Sequence, residues 1–241
     1  MGLPVHQSQQ YVGWLNRRIQ ENKGTHVITI NAEMCMQAQQ DQSLSQFIKE
    51  ADLVVPDGSG IELYFRLLKR QELYRYPGIE LAADLLKSLD GHKKVAFYGG
   101  TPEVVEAAAA YWRSQNPQLD IAIVQHGYVK GAAFEEFLQQ LADVQPDVIF
   151  VGLGVPKQEF WIADHRPLCP NAVWIGVGGS YDIWSGSKTR APMVMRKMHL
   201  EWLYRLYQEP WRWRRMVALP QFAWSSFWYS IQEQTSLKQN V

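Results

Sequence analysis

Residues 147–159, DVIFVGLGVPKQE, hold the fold in miniature. The run 147–153 is apolar without polar alternation, which fits a strand buried on both faces. Gly152 and Gly154 then leave the strand. Pro156 suits the start of a helix, and Lys157, Gln158 and Glu159 fall in its first turn. A buried strand, a glycine turn and a helix start in direct succession form the repeating unit of a parallel α/β sheet.

The same unit recurs on both sides. Short β-branched runs occupy 26–30, 52–55, 94–98, 121–125 and 172–177. Between them, apolar residues return every three or four positions, as in Leu81, Leu85 and Leu89 or Phe134, Leu138 and Leu141. The pattern predicts a doubly wound, mostly parallel, Rossmann-like α/β core over residues 1–190. Beyond it the composition changes. Eight of the ten Trp lie past residue 160, and the stretch EPWRWRRM mixes Trp with Arg. Leu200, Leu203, Tyr204 and Tyr207 make one helical stripe, Pro210 interrupts it, and Trp224, Phe227, Trp228 and Ile231 make a second. Residues 191–241 are expected to form a C-terminal helical appendage. A basic, aromatic, amphipathic segment suits a membrane surface; helices packing these aromatics on the core or on another subunit are the competing reading.

Bulk properties narrow the function. Lys+Arg and Asp+Glu balance at 24 each, so no nucleic-acid partner is expected. Cys35 and Cys169 form no CxxC or Cys/His cluster, so neither a disulfide framework nor a metal site is expected. MGLPVHQSQQ lacks the apolar stretch of a secretory signal, and no run approaches the ~20 apolar residues of a membrane span. A cytoplasmic protein, peripheral on the inner face of the plasma membrane, is the expectation.

In open α/β sheets ligands lie outside the carboxyl ends of the strands. Those ends carry Asn31, Asp57-Gly58, Gly99-Gly100, Gly127, Gly152-x-Gly154 and Gly178-Gly179. Asp57 sits in a Pro-Asp-Gly turn, which can present one carboxylate over the sheet edge. Thr29 and Asn31 share a face at the end of their strand, although Asn31 suits a helix N-cap equally well. Gly99 and Gly100 precede Thr101-Pro102, a helix start able to hold an anion. A cation at Lys157 opposes the helix dipole and so suggests an anionic ligand, the alternative being a solvated lysine with Glu159 as the dipole-matched residue; Gln158 can read a base or sugar through both ends of its amide, or be an exposed polar residue. Arg75 precedes a Pro-Gly turn. Arg205, Arg212 and Arg215 share one face on a continuous helix and suit a diphosphate; Glu201 to Arg205 is also a favourable local pair.

Taken in order, TxNxE (29–33), PDGxG (56–60), RxPG (75–78), YGG (98–100), GLGxPKQE (152–159), GVGGxxD (176–182), TRAP (189–192) and EWLYRLxxEPxRxxR (201–215) resemble the WecG/TagA/CpsF family of bacterial glycosyltransferases across nearly the whole chain. The resemblance implies a membrane-associated, metal-independent, inverting transferase without a cofactor. It would move a sugar, N-acetylmannosamine in typical members, from a UDP-sugar donor to a polyprenyl-diphosphate-linked sugar acceptor in cell-surface polysaccharide or teichoic-acid synthesis. It makes Asp57 the base, with Thr29, Asn31, Arg75 and Gln158 in the same pocket and Arg205, Arg212 and Arg215 on the diphosphate. Gly99, Gly100, Gly154 and Lys157 join the expected substrate site. The stripe past residue 222 departs from the family pattern, and a cleft completed by a second subunit stays open. No DxD motif is present. A nucleotide-sugar epimerase or dehydrogenase would need GxGxxG, which is absent. A UDP-sugar-binding membrane protein without transferase activity would bind donor but release no UDP.

Overall fold

The computed structural model describes the backbone of residues 2–239 and side chains through residue 230. Ile231 and the tail beyond it therefore lie outside the described side chains. Chain order runs Tyr11–Gln20 (α1), Thr25–Ile30 (β1), Ala32–Gln40 (α2), Gln42–Glu50 (α3), Leu53–Pro56 (β2), Ser59–Tyr64 (α4), Gly78–Ser88 (α5), Lys94–Gly99 (β3), Pro102–Gln115 (α6), Asp120–Gln125 (β4), Ala132–Val144 (α7), Val148–Gly152 (β5), Lys157–His165 (α8), Val173–Gly176 (β6) and Ser180–Trp184 (α9). Met193–Lys197 (α10), Glu201–Gln208 (α11), Trp213–Met216 (α12) and Ala218–Gln239 (α13) follow. All six expected strands form, each within a residue or two of the bounds set by their apolar runs.

The six strands make one sheet in the order β2-β1-β6-β5-β3-β4, and every neighbouring pair is parallel. Both faces are covered, as unbroken apolar strands require. On one face α1, α5 and α6 pack Leu15, Leu85 and Trp112 against Val27, Phe97 and Phe150. Toward the β2 edge of the other face, α2, α3 and α4 close over Ile28, Ile30 and Val54. Toward its β4 side, α7 and α8 cover Ala96, Ile149 and Trp174. The strands thus alternate by face rather than by polarity. Caps set several helix starts: the side chains of Asn31, Asp41 and Thr101 accept the backbone N–H groups of Met34, Leu44 and Val104.

Past residue 190 the chain crosses the carboxyl ends of the strands and then returns to the body. Ala218 and Phe222 of α13 are buried in the cluster formed by β1, α2 and α3. Pro210 ends the α11 helix, and residues 210–212 form a 3₁₀ turn before α12. The break expected at Pro210 is present, so Arg205 and the pair Arg212 and Arg215 come from two helices and the turn between them rather than from one helix face. No helix among the described residues is long and apolar enough to cross a membrane.

Candidate active site

Register builds the site. Ile30 stands opposite Pro56, so the residues that follow, Asn31 and Asp57, leave the sheet at one level. The Asp57 N–H donates to the Ile30 carbonyl at 2.9 Å, which pins the turn to β1. Around the ends of β2, β1, β6 and β5 lies a cavity of about 190 Å³. Four adjacent strands span about 14 Å at the usual spacing. Thr29, Asn31, Asp57, Gly154 and Gln158 all line it, and the 201–216 segment roofs it with Arg205, Arg212 and Arg215.

Asp57 is half-buried. Burial raises its pKa above the ordinary carboxylate value, opposed by the positive charge of Arg205, a hydrogen bond from the Gly78 N–H and the charge of Arg75; Glu201 adds to the rise. Gly78 is needed for this approach, because a Cβ there would lie 2.9 Å from Thr29 Oγ1. Thr29, the Gly78 amide and the Asp57 carboxylate are thereby gathered at one corner. Asn31 uses Oδ1 to cap α2 through the Met34 N–H at 3.0 Å. Its Nδ2 group has no protein partner among the described residues and remains a donor on the cavity wall.

Gln158 is buried at 3 % exposure, so it is no loose surface amide. Its Oε1 accepts the Gly178 N–H at 3.0 Å, and its Nε2 donates to Glu159 Oε1 at 2.9 Å. The side chain thus ties the β5 turn to the β6 turn. Gly176 leaves room for it, since a Cβ at 176 would come within 2.3 Å of Gln158 Nε2. Glu159 is 1 % exposed, and burial pushes its pKa up to about 7 against the opposing hydrogen bonds from Gln158 and its own backbone. Its Oε2 has no hydrogen-bond partner among the described residues. Sequence pattern placed Glu159 as a dipole-matched residue of the first helical turn; the helix in fact turns it inward beneath the site.

The remaining expected residues lie outside the cavity wall. Gly99 and Gly100 end β3, which stands beyond β5 in the strand order. There the Gly100 N–H bonds the Gly152 carbonyl at 3.1 Å. Lys157 is exposed. Arg75 pairs with Glu62 at 3.5 Å and reaches Asp57 only through its charge.

Every roof arginine faces a carboxylate. Arg205 meets Glu201 at 3.0 Å, Arg212 meets Glu209, and Arg215 meets Glu33 at 3.4 Å. Lys188 bridges Asp182 at 2.8 Å and Glu209 at 3.0 Å. Arg190 links Glu80 of α5 at 2.6 Å to Glu201 of α11 at 3.6 Å. Thr189 Oγ1 adds contacts with Tyr204 at 2.9 Å and Gln208 at 2.7 Å. The cavity wall therefore carries five cations, Lys188, Arg190, Arg205, Arg212 and Arg215, against five carboxylates, Glu33, Asp57, Asp182, Glu201 and Glu209. Each guanidinium has five N–H donors and spends only one or two on its partner, leaving a fork for a phosphate. Sequence reasoning paired Glu201 with Arg205, as the structure does, but quoted the motifs holding Asp182, Arg190 and Glu209 without assigning them partners. The alternating charge of EWLYRLYQEPWRWRR was the available signal. Among the described residues no three His, Cys, Asp or Glu side chains are gathered as for a metal ion.

Comparison with known proteins identifies the family. The model of the Glycosyl transferase WecG/TagA/CpsF family matches residues 1–236. The chain is 38 % identical over 205 residues to an N-acetylglucosaminyldiphosphoundecaprenol N-acetyl-beta-D-mannosaminyltransferase of Bacillus spizizenii, covering 85 % of this chain and 79 % of the relative. A protein of the same name from Bacillus subtilis is 34 % identical over 215 residues, 88 % and 83 % of the two chains. One from Staphylococcus aureus is 36 % identical over 204 residues, 84 % and 80 %. With the match running from the first strand through the arginine-bearing roof, the chain belongs to the WecG/TagA/CpsF family and is a glycosyltransferase.

Proposed function

We propose that this chain transfers N-acetylmannosamine from a UDP-sugar to N-acetylglucosamine carried on a polyprenyl diphosphate, with inversion and without a metal. The observation that carries the reading is the Asp57 carboxylate, fixed by backbone at the corner of a cavity roofed by Arg205, Arg212 and Arg215. In a single displacement the acceptor hydroxyl oxygen bonds to the anomeric carbon as the bond from that carbon to the UDP oxygen breaks. The hydroxyl proton passes to Asp57, so one carboxylate suffices. A raised pKa suits a base that must take up a proton. Arginine donors and backbone amides would carry the charge growing on the departing diphosphate. The names of the relatives supply the acceptor class and the transferred sugar.

At about 190 Å³ the cavity is smaller than the 300–1,000 Å³ usual for ligand sites. Admission of a nucleotide sugar therefore requires the ion-paired roof to shift. Membrane association on the cytoplasmic face belongs to the same proposal. It is supported by thirteen exposed large apolar side chains between Met193 and Tyr229.

Release of UDP from a panel of UDP-sugars, with an N-acetylglucosaminyl diphospholipid acceptor and EDTA, tests the reading. The Asp57→Asn variant should bind donor normally yet lose 10²- to 10⁴-fold in kcat. The acid limb of the wild-type profile should lie above the ordinary aspartate value of 3.8. Wild-type turnover by Asp57→Asn would remove Asp57 as the base, and loss of activity in EDTA would overturn metal independence.

A further inference from the structure

The segments that line the polar cavity continue into other parts of the surface. A second hollow, of about 450 Å³, lies where α4 and the turn after it face α11 and α13. Leu63, Leu67, Trp202, Leu219, Phe222 and Phe227 supply its walls. Leu63, Leu67, Trp202 and Phe227 are 37–62 % exposed, so this apolar surface is open from outside. Glu62, Arg66, His199 and Ser226 line it as well: Glu62 pairs with Arg75 and lies 3.6 Å from His199, while Ser226 Oγ is buried with no hydrogen-bond partner among the described residues.

Three stretches of chain run from the polar cavity directly into this groove. Asp57 is followed by Ser59 and Gly60, which line the groove. Helix α11 lends Glu201 and Arg205 to the polar cavity and Trp202 to the groove. Arg215 on the roof is followed by Leu219 and Phe222 on the groove wall. The two hollows are therefore built on the same segments of chain, one lined by charge and the other mostly by hydrocarbon. A ligand that fits both has a polar sugar diphosphate at one end and an apolar chain at the other.

We propose that the groove between α4, α11 and α13 holds the first isoprene units of the acceptor's polyprenyl chain, while its diphosphate meets the roof arginines. The proposal rests on the transferase reading for the identity of the head group. The groove volume falls in the 300–1,000 Å³ range of ligand sites, room for a few units and not a whole polyprenol. The rest of the chain would stay in the bilayer. Specificity for chain chemistry would then arise in the protein as well as in the membrane, and α13, most of which the family model covers, would form one wall of the acceptor site.

Ala223 lines the groove at an exposed position, so Ala223→Trp fills it without disturbing the core. Leu67→Ser, at 62 % exposure, strips apolar wall instead. Steady-state kinetics in phospholipid-free detergent would compare the undecaprenyl acceptor with a short-alkyl acceptor bearing the same head group. Both variants should raise KM for the undecaprenyl acceptor roughly tenfold, about 1.4 kcal/mol, and change KM for the short one less than twofold. Equal changes for both acceptors, or none, overturn the groove. A benzophenone-tagged undecaprenyl diphosphate provides a readout independent of turnover. Photolabelling within 59–68 and 219–227 supports the groove, even if no sugar is transferred, in which case the transferase reading fails alone. Labelling confined elsewhere, or a liposome-binding defect in Ala223→Trp without a change in labelling, assigns the surface to bulk lipid and overturns the proposal.

Discussion

The tryptophans divide the molecule in two. In the α/β body, Trp112, Trp174 and Trp184 are 2 %, 1 % and 7 % exposed, and Trp112 meets Trp184 edge-to-face at 5.4 Å. In the returning segment, Trp211, Trp213 and Trp224 are 68 %, 58 % and 65 % exposed. One residue type thus plays opposite parts within one chain. The body has a two-sided sheet against which an indole can bury its area. The segment beyond residue 190 is one layer of helices over strand ends, with a single apolar face to spend on the body, and Ala218 and Phe222 take it. What it leaves outside is a concentration of large apolar side chains, thirteen of them between Met193 and Tyr229, of the kind that marks an interaction surface.

The sharpest way to break this contrast is to truncate one indole from each region. Trp112→Ala should cost about 3–5 kcal/mol, read as a fall in denaturation midpoint. Trp211→Ala should stay within about 0.5 kcal/mol of wild type and instead weaken flotation with anionic liposomes. Equal stability losses would mean that the exposed indoles are packed in solution, against another copy or in a rearranged tail.

A smaller effect separates the floor of the site from its roof. Glu159 titrates near 7 in the folded chain against 4.5 unfolded, so the folded state holds the proton more tightly. Its contribution to stability is full below about pH 4.5 and is lost as pH rises through 7. Across that window wild type should lose about 3 kcal/mol that Glu159→Gln does not. Denaturation of both proteins at pH 4.5 and pH 8 gives the difference directly. A constant gap between them would mean that water or relaxation solvates Glu159 in solution.

The smallest effect belongs to the latch. Lys188→Ala removes the bridge between Asp182 and Glu209, partly exposed contacts each worth about 0–1 kcal/mol. Donor KM should change by no more than about fivefold, and the difference should shrink in high salt. A loss of kcat that persists at 1 M salt would show that Lys188 touches substrate rather than holding the roof.

The body was legible because its signals are local. Unbroken apolar runs and helical spacing located all six strands, and the glycine-bearing strand ends pointed to Asp57, Asn31, Gly154 and Gln158, which share one cavity. Legibility failed where strand order or docking decides. Gly99 and Gly100 end a strand as glycine-rich as the others, yet β3 stands beyond β5, and no local pattern reports that. Lys157 and Glu159 occupy the same helical turn; only the angle of α8 against the sheet exposes one and buries the other. The partners of Arg212 and Arg215 depend on how the chain turns at Pro210 and on α12 meeting Glu33 of α2, a contact between residues far apart in sequence.

The hydrogen bond from Asp57 N–H to Ile30 O makes the chain its own ruler. Thr29, Asn31 and Asp57 are set by counting residues along two paired strands, so an insertion or deletion anywhere in β1 or β2 would carry one side of the reaction corner away from the other. The opposite edge already absorbs an irregularity, between Val95 and Ala96 where β3 meets β4. Length variation among relatives should therefore collect on the β4 side of the sheet, in the 70–74 connection and in the tail, while the interval from Thr29 to Asp57 should admit change only at the helix junctions at residues 41 and 51–52.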